Sequence, residues 1–381
     1  MIYLDNGATS FPKPAGMRKA IDECIKYYCG NPGRSGHYMS IKTGEEVYKA
    51  RNNLAKLFNV KRPERIVFTK NTTEALNLGV CGLLREGDHV VTTAMEHNSV
   101  LRPLKRLEHK GVTHSIVKAD KEGKITVEDI EASIRNNTKM VIMTAASNVT
   151  GTKMPIKEVG QMARRKGLVF MVDGAQGAGN MDLDVEKLGI HMLAIPGHKG
   201  LLGPLGTGAL CVKDGLEIEP LLTGGTGTLS KDRNHPLEFP EGYEAGTINA
   251  PAIVGLGYSA DYINKIGVNV IRKYEEDLIS WLDEKLKNID FITLYGPGCG
   301  EKTGISLINI KGLGSEEVTE ILSRQYGIAV RGGFHCAGLA HKSIGTWNQG
   351  AVRISVSPFN TRKDMISLVD ALWKIGKNTA I

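Results

Sequence analysis

Two spacings of apolar residues alternate along the chain from about residue 45. Helical spacing runs from Glu45 to Phe58, Thr73 to Leu84, about Ser99 to Lys110, Val127 to about Arg135, and around Ile156–Lys166. Between these stretches lie short β-rich runs at Arg65–Thr69, His89–Thr93, Thr113–Val117, Met140–Thr144 and Leu168–Val172. The last two are almost continuously apolar, as parallel strands are when both faces are covered. Strand–helix–strand alternation with short connections predicts right-handed crossovers and an α/β fold with a doubly wound, mostly parallel sheet. Ligands of such sheets bind beyond the carboxyl ends of the strands, and that is where the polar motifs fall.

Near residue 252 the pattern changes. One long helical stretch is expected from Ala252 to about Lys287. After it come strand Gly304–Ile310, helix Ser315–Tyr326, strands Ala329–Arg331 and Ala351–Val356, and helix Arg362–Ile375. The expected organisation is an N-terminal segment (1–15) packing near a small α+β C-terminal domain (252–381), and a large domain (16–251). Neither an internal repeat nor a disordered linker is visible.

Composition narrows the class. The 381 residues are 41% hydrophobic and 23% charged, and the 45 glycines gather at junctions between strand-like and helix-like runs. The net charge of +7 is spread along the chain, with no basic block of the kind that binds nucleic acid. A mild basic excess fits anionic small molecules or plain solubility. No signal peptide and no membrane span are expected. Cys24, Cys29, Cys81, Cys211, Cys299 and Cys336 lack Cys-x-x-Cys pairing. They read as reduced thiols of a cytoplasmic protein. The histidines are scattered, so no metal site is expected.

Four motifs carry candidate chemistry. Gly197-His198-Lys199-Gly200 follows the apolar run Met192–Ile195, and a lysine held between small residues at a strand end can form a Schiff base with a bound aldehyde. Asp173 closes the strand Leu168–Val172. A carboxylate there can pair with a protonated pyridine nitrogen, and Gln176 can donate to a neighbouring ring oxygen. Asn71-Thr72-Thr73-Glu74 opens a helix after a strand, which gathers hydroxyls and free N–H groups into an anion site. His97, in Glu96-His97-Asn98, follows another strand end and can stack on a ring. Out of context each has a plainer reading: a surface lysine, a turn-capping aspartate, a helix N-cap and a structural loop histidine.

Together these motifs resemble the class V aminotransferase family, the fold type I pyridoxal-phosphate enzymes, and within it the group II cysteine desulfurases. The resemblance runs from Tyr3-Leu4-Asp5-Asn6-Gly7-Ala8 through the motifs above and Ser147-Asn148-Val149-Thr150-Gly151. It continues through Glu244-Ala245-Gly246-Thr247 to Arg331-Gly332-Gly333-Phe334-His335-Cys336-Ala337 and Arg353. It implies pyridoxal 5'-phosphate on Lys199, Asp173 at the ring nitrogen, Gln176 at the phenolic oxygen and His97 over the ring. Thr72, Thr73 and His198 would hold the phosphate, with Asn148 also in the cofactor site. Gly246 and Thr247 would reach the phosphate of the neighbouring subunit, which implies a homodimer. Asn148, Arg331 and Arg353 would bind the substrate carboxylate, a guanidinium fork matching a carboxylate. Pro196 stands where the family commonly has a serine that touches the phosphate, which leaves that contact to be shared differently.

Cys336 separates the readings. A thiol in a Gly-rich loop between Arg331 and Arg353 can present a thiolate, and in this motif it would take the sulfur of L-cysteine as a persulfide, leaving L-alanine. The short span from Cys336 to Arg353 resembles group II, which implies transfer onward to a sulfur-acceptor protein. Gly338 follows where the family usually has proline. The alternatives are a selenocysteine lyase acting on L-selenocysteine, or an aminotransferase or epimerase without persulfide chemistry.

Overall fold

The computed structural model describes residues 1–33 and 35–379. The N-terminal segment contributes β1 (Ile2–Tyr3), followed by α1 (Ala15–Glu23) and α2 (Tyr38–Phe58). The alternating part then runs β2 (Ile66–Thr69), α3 (Thr72–Leu83), β3 (His89–Thr93), α4 (Asn98–Leu107), β4 (Thr113–Val117) and α5 (Val127–Ala132). It continues with β5 (Thr138–Thr144), α6 (Ile156–Arg165), β6 (Val169–Asp173), β7 (Met192–Pro196) and β8 (Gly208–Val212). Helices α7 (Ala250–Ile266) and α8 (Val268–Leu286) lead to β9 (Ile292–Tyr295), β10 (Ile305–Ile310) and α9 (Ser315–Tyr326). The chain closes with β11 (Ile328–Ala329), α10 (Gly338–Ser343), β12 (Val352–Ser355) and α11 (Arg362–Thr379).

Strands β2–β8 form a seven-stranded sheet in the order β2-β8-β7-β6-β5-β3-β4. The pairs β3·β4, β3·β5, β5·β6 and β6·β7 are parallel, while β8 runs antiparallel to both of its neighbours. The apolar runs make this sheet because alternate side chains feed two cores. Val141, Met143, Phe170 and Val172 enter one, and Met140, Ile142, Val169 and Met171 enter the other. Each such side chain, withdrawn from water, contributes on the order of 2 kcal/mol. Polar residues begin where the strands end, so the chemistry sits on the rim of a rigid layer.

A smaller α+β part holds the antiparallel sheet β12-β10-β9 under its own core of Leu278, Leu282, Ile308, Val352, Ile354 and Leu368, which Leu4 joins. Strand β1 pairs in parallel with β11. The long helix expected from Ala252 to Lys287 is two helices, broken at Gly267, whose φ of 92° is open to glycine and strained for other residues. Strand β8 and helix α1 were not expected from the pattern. No helix among the described residues is long and apolar enough to cross a membrane.

Candidate active site

The carboxyl ends of β5, β6 and β7 and the start of α3 line an open pocket of about 100 Å3. Its wall brings together Thr72, Thr73, His97, Asn148, Asp173, Gln176, His198 and Lys199. All eight were expected from the sequence.

Lys199 follows β7, in the turn that Gly197 and Gly200 allow. Burial, aided by the positive charges of Arg353 and Arg331, lowers its ammonium pKa to about 8, against the pull of Asp173 and Asp5. The amine is therefore easily freed as a nucleophile and proton carrier. Asp173 ends β6, is 2% exposed, and accepts from Ala175 N–H at 2.9 Å. Burial raises its pKa above the usual carboxylate value, and the Lys199 charge opposes that rise. A buried carboxylate with so little compensation favours a cationic N–H partner in the pocket.

The anion-binding end lies at the N-terminus of α3, capped by Asn71, whose Oδ1 accepts from Glu74 N–H at 2.9 Å. The Thr73 and Ser99 hydroxyls lie 2.8 Å apart, and Ser99 Oγ lies 2.8 Å from His97 Nδ1. The Ser99 backbone N–H also donates to that nitrogen at 3.0 Å. His97 Nδ1 is therefore an acceptor, which leaves the proton of the neutral ring on Nε2. Burial lowers the His97 pKa to about 4, with nearby Lys199 and Arg331 acting in the same direction. Thr72 Oγ1 and His198 Nδ1 are buried without a hydrogen-bond partner. Two orphaned polar atoms beside a helix N-terminus fit an absent phosphate, since buried polar groups are rarely left unmatched.

Arg353, on β12, is 1% exposed. It donates to Asn148 O at 2.8 Å and to Asp5 Oδ1 at 2.9 Å, and its Nε has no partner. A methyl group at residue 7 would lie 3.1 Å from Arg353 Cζ, a tight contact that glycine avoids where the guanidinium lies against the chain. The Arg331 side chain has no hydrogen bond or ion pair among the described residues, and its backbone bridges to Arg353. Gln176 Nε2 donates to Gly7 O at 2.9 Å, which leaves one amide hydrogen to spare.

Cys336 is exposed. It and His335 form the centre of a turn with φ of 57° and 52°, closed by Ala337 N–H to Phe334 O at 3.0 Å. Left-handed backbone at a non-glycine residue costs on the order of 1 kcal/mol or more. Two bonds attach the turn to the pocket wall: Asn148 Nδ2 to His335 O at 2.7 Å, and Asn98 N–H to Cys336 O at 2.9 Å. Gly246 and Thr247 are exposed and do not line this pocket; Gly246 lines another with Arg51, Glu64 and Thr228.

Ser99, on the pocket wall, and the buried Glu96, next to His97 in the chain, were missed. Ser99 gives no signal beyond its place after His97, yet it joins His97 to Thr73. Glu96 is fully buried, and burial raises its carboxyl to about 8. Its Oε1 accepts from Thr93 Oγ1 at 2.5 Å and Thr144 N–H at 3.1 Å.

A free-able lysine, a strand-end carboxylate and an anion cradle on the rim of a mostly parallel sheet make this an α/β enzyme with a site for a small anionic ligand. The chain belongs to the class-V aminotransferase family, which it matches over residues 2–368. A probable cysteine desulfurase of Methanothermobacter thermautotrophicus is 38% identical over 380 residues, covering 98% of this chain and 94% of that protein. The apo structure of a cysteine desulfurase from Thermococcus onnurineus NA1 superposes with a TM-score of 0.93 at 34% identity, covering 99% of this chain and 95% of the other. A cysteine desulfurase from Escherichia coli, described as an S-sulfonic acid form, gives a TM-score of 0.89 at 27% identity over 99% of this chain and 94% of its own. The fold is thus the fold type I architecture expected from the sequence.

Proposed function

We propose that this chain is a pyridoxal-phosphate-dependent cysteine desulfurase, which converts L-cysteine to L-alanine and takes the sulfur onto Cys336 as a persulfide. The observation that carries the reading is the docking of the exposed Cys336 turn onto the wall that holds Lys199, through Asn148 and Asn98. Family membership and desulfurase relatives over nearly the full length support it.

Lys199 would carry the cofactor aldehyde, Asp173 face the ring nitrogen, Gln176 the phenolic oxygen, and His97 lie over the ring. Thr72, Thr73 and His198 would hold the phosphate, joined by Gly246 and Thr247 from the second copy of a homodimer. Exposed apolar side chains at Ile25, Tyr27, Tyr38, Met39 and Ile41 support such a dimer. When bound, pyridoxal phosphate supplies an electron sink for negative charge next to the substrate nitrogen. Arg331, Arg353 and Asn148 hold the substrate carboxylate. Lys199 Nζ moves protons at the substrate carbons. The Cys336 thiolate attacks the substrate sulfur: an S–S bond forms, the substrate Cβ–S bond breaks, and its electron pair remains with Cβ. Protonation of that carbon gives the methyl group of alanine, so no external oxidant is needed.

The persulfide then passes to an acceptor protein. We take the enzyme to be cytoplasmic, a reading supported by six free cysteines. We also propose residues 1–15 as an N-terminal segment packing near the small domain, and a division near residue 252 between a large and a small domain. Incubation with L-cysteine, L-selenocysteine and L-alanine plus pyruvate tests the function. Sulfide and alanine from L-cysteine, abolished in Cys336→Ala, are expected. Selenide alone would make it a selenocysteine lyase, and transamination alone an aminotransferase.

A further inference from the structure

Three buried polar side chains stand behind Cys336, and the mechanism above uses none of them. His335 is 4% exposed, and His341 and Thr346 are fully buried. His335 Nε2 lies 3.1 Å from Arg331 O, His335 Nδ1 lies 3.2 Å from His341 Nε2, and His341 Nδ1 lies 2.7 Å from Thr346 Oγ1.

The donors can be assigned by elimination. A carbonyl oxygen only accepts, so His335 Nε2 carries a proton and donates to Arg331 O. A neutral His335 then accepts at Nδ1, so His341 must donate from Nε2. A neutral His341 in turn accepts at Nδ1, so the Thr346 hydroxyl donates. Both rings are neutral: burial lowers His335 to about 2 and His341 to about 4. Each bond is satisfied in one direction only, from Thr346 through His341 and His335 to the backbone of Arg331. Arg331 O also accepts from Arg353 N–H at 2.8 Å, so the chain ends on the backbone bridge between the two arginines.

Strain gives the chain its purpose. His335 and Cys336 are consecutive non-glycine residues at positive φ, in a turn of the kind that Asn-Gly adopts without penalty. Cys336 is needed for its sulfur, so the turn cannot relax by sequence and has to be held by its surroundings. The His335 side chain is bonded at both ring nitrogens and its carbonyl is bonded by Asn148. That fixes the residue whose φ sets the direction of the next one.

We propose that Thr346, His341 and His335 form a directional hydrogen-bond chain that holds the strained turn in the pose from which Cys336 accepts sulfur. His341 and Thr346 are then positioning residues. The proposal rests on reading Cys336 as the sulfur acceptor.

The test uses the cofactor-loaded enzyme and the variants Thr346→Val, Thr346→Ser, His341→Gln and Cys336→Ala. Two quantities are read: kcat and KM for alanine formation from L-cysteine, and amide hydrogen exchange of the peptide spanning Phe334–Ala337. Thr346→Val keeps the shape and loses the donor, so kcat should fall roughly tenfold with KM nearly unchanged, because a misplaced nucleophile costs rate rather than binding. Exchange in that peptide alone should rise several-fold, and Thr346→Ser should restore both quantities. A role in global stability alone would raise exchange throughout and leave kcat intact. Should Thr346→Val fold poorly, His341→Gln gives the same two readings at the next link. Wild-type kcat and exchange in Thr346→Val or His341→Gln, or a loss that Thr346→Ser does not repair, overturns the chain. Full activity in Cys336→Ala overturns the desulfurase reading instead; an inactive Cys336→Ala beside a normal Thr346→Val removes only the chain.

Discussion

The pocket floor and the Cys336 turn are held by different means. Lys199 and Asp173 stand at the ends of β7 and β6, strands buried along their whole length in a seven-stranded sheet. Their positions follow from sheet register, and their chemistry from burial, which lowers the lysine pKa and raises that of the carboxyl. Cys336 sits outside any strand, exposed, on left-handed backbone kept in place by side-chain and amide hydrogen bonds. The floor should tolerate loss of a side chain without moving. The turn should be sensitive to bonds several residues away.

The largest effect should come from the floor. Lys199→Ala should lower alanine formation by roughly 10^4-fold or more, since the nucleophile and the proton carrier are lost together. Far-UV circular dichroism should stay unchanged because the sheet does not depend on the amine. On the other side, Cys336→Ala should cut alanine and sulfide formation from L-cysteine about 10^3-fold. Its cofactor absorbance and borohydride fixation on Lys199 should remain, so the two regions separate in one pair of variants. Asp173→Ala should cost about 10^2-fold in turnover and weaken cofactor binding moderately; near-normal turnover would show that another group serves the ring nitrogen. Ser99→Ala should weaken cofactor binding about tenfold, the worth of one good hydrogen bond near a charged group, as read by titration of the apo-protein. An unchanged affinity would show that the Thr73–Ser99–His97 contacts do not reach the phosphate.

Acid is the mildest probe and acts on both regions. Folding holds His89, His97, His191, His198 and His341 near a pKa of 4 and His335 near 2, against an ordinary 6.5. Below pH 6.5 the unfolded chain takes up protons that the folded one refuses, so stability falls as pH drops. Glu96 and Glu275, raised from 4.5 to about 8, work the other way and withdraw stability as pH rises through that interval. Between pH 4 and 8 the melting temperature of the apo-protein should therefore peak near pH 6.5 and fall more steeply on the acid side. A flat profile between pH 4 and 6.5 would mean the imidazoles are not held neutral.

The same contrast explains what could be read from the sequence. The floor was legible because continuous apolar runs such as Met140–Thr144 mark buried parallel strands, and the polar residue that ends each run must lie on the rim. The pattern puts Asp173, Lys199 and Thr73 on the rim, while their expected roles rest on the family resemblance. Strand β8 was hidden because Gly203–Gly208 reads as a turn and its antiparallel place in the sheet depends on tertiary pairing. The break at Gly267 was hidden because helical spacing continues on both sides. Ser99, His341 and Thr346 were invisible for a related reason: their partners are fixed by folding and show no sequence period. The Arg353 environment, shared with Asp5 and Gly7 from the opposite end of the chain, is likewise a product of the fold.

The central claim is that sulfur moves from L-cysteine to Cys336, and a single turnover tests it most directly. The cofactor-loaded enzyme is mixed with one equivalent of L-cysteine without reductant, quenched, alkylated and digested, and the cysteine peptides are weighed. The account predicts one added sulfur on the Cys336 peptide, matched by one alanine per active site. Alanine formed with Cys336 unmodified, or the added sulfur on Cys24, Cys29, Cys81, Cys211 or Cys299, would contradict it.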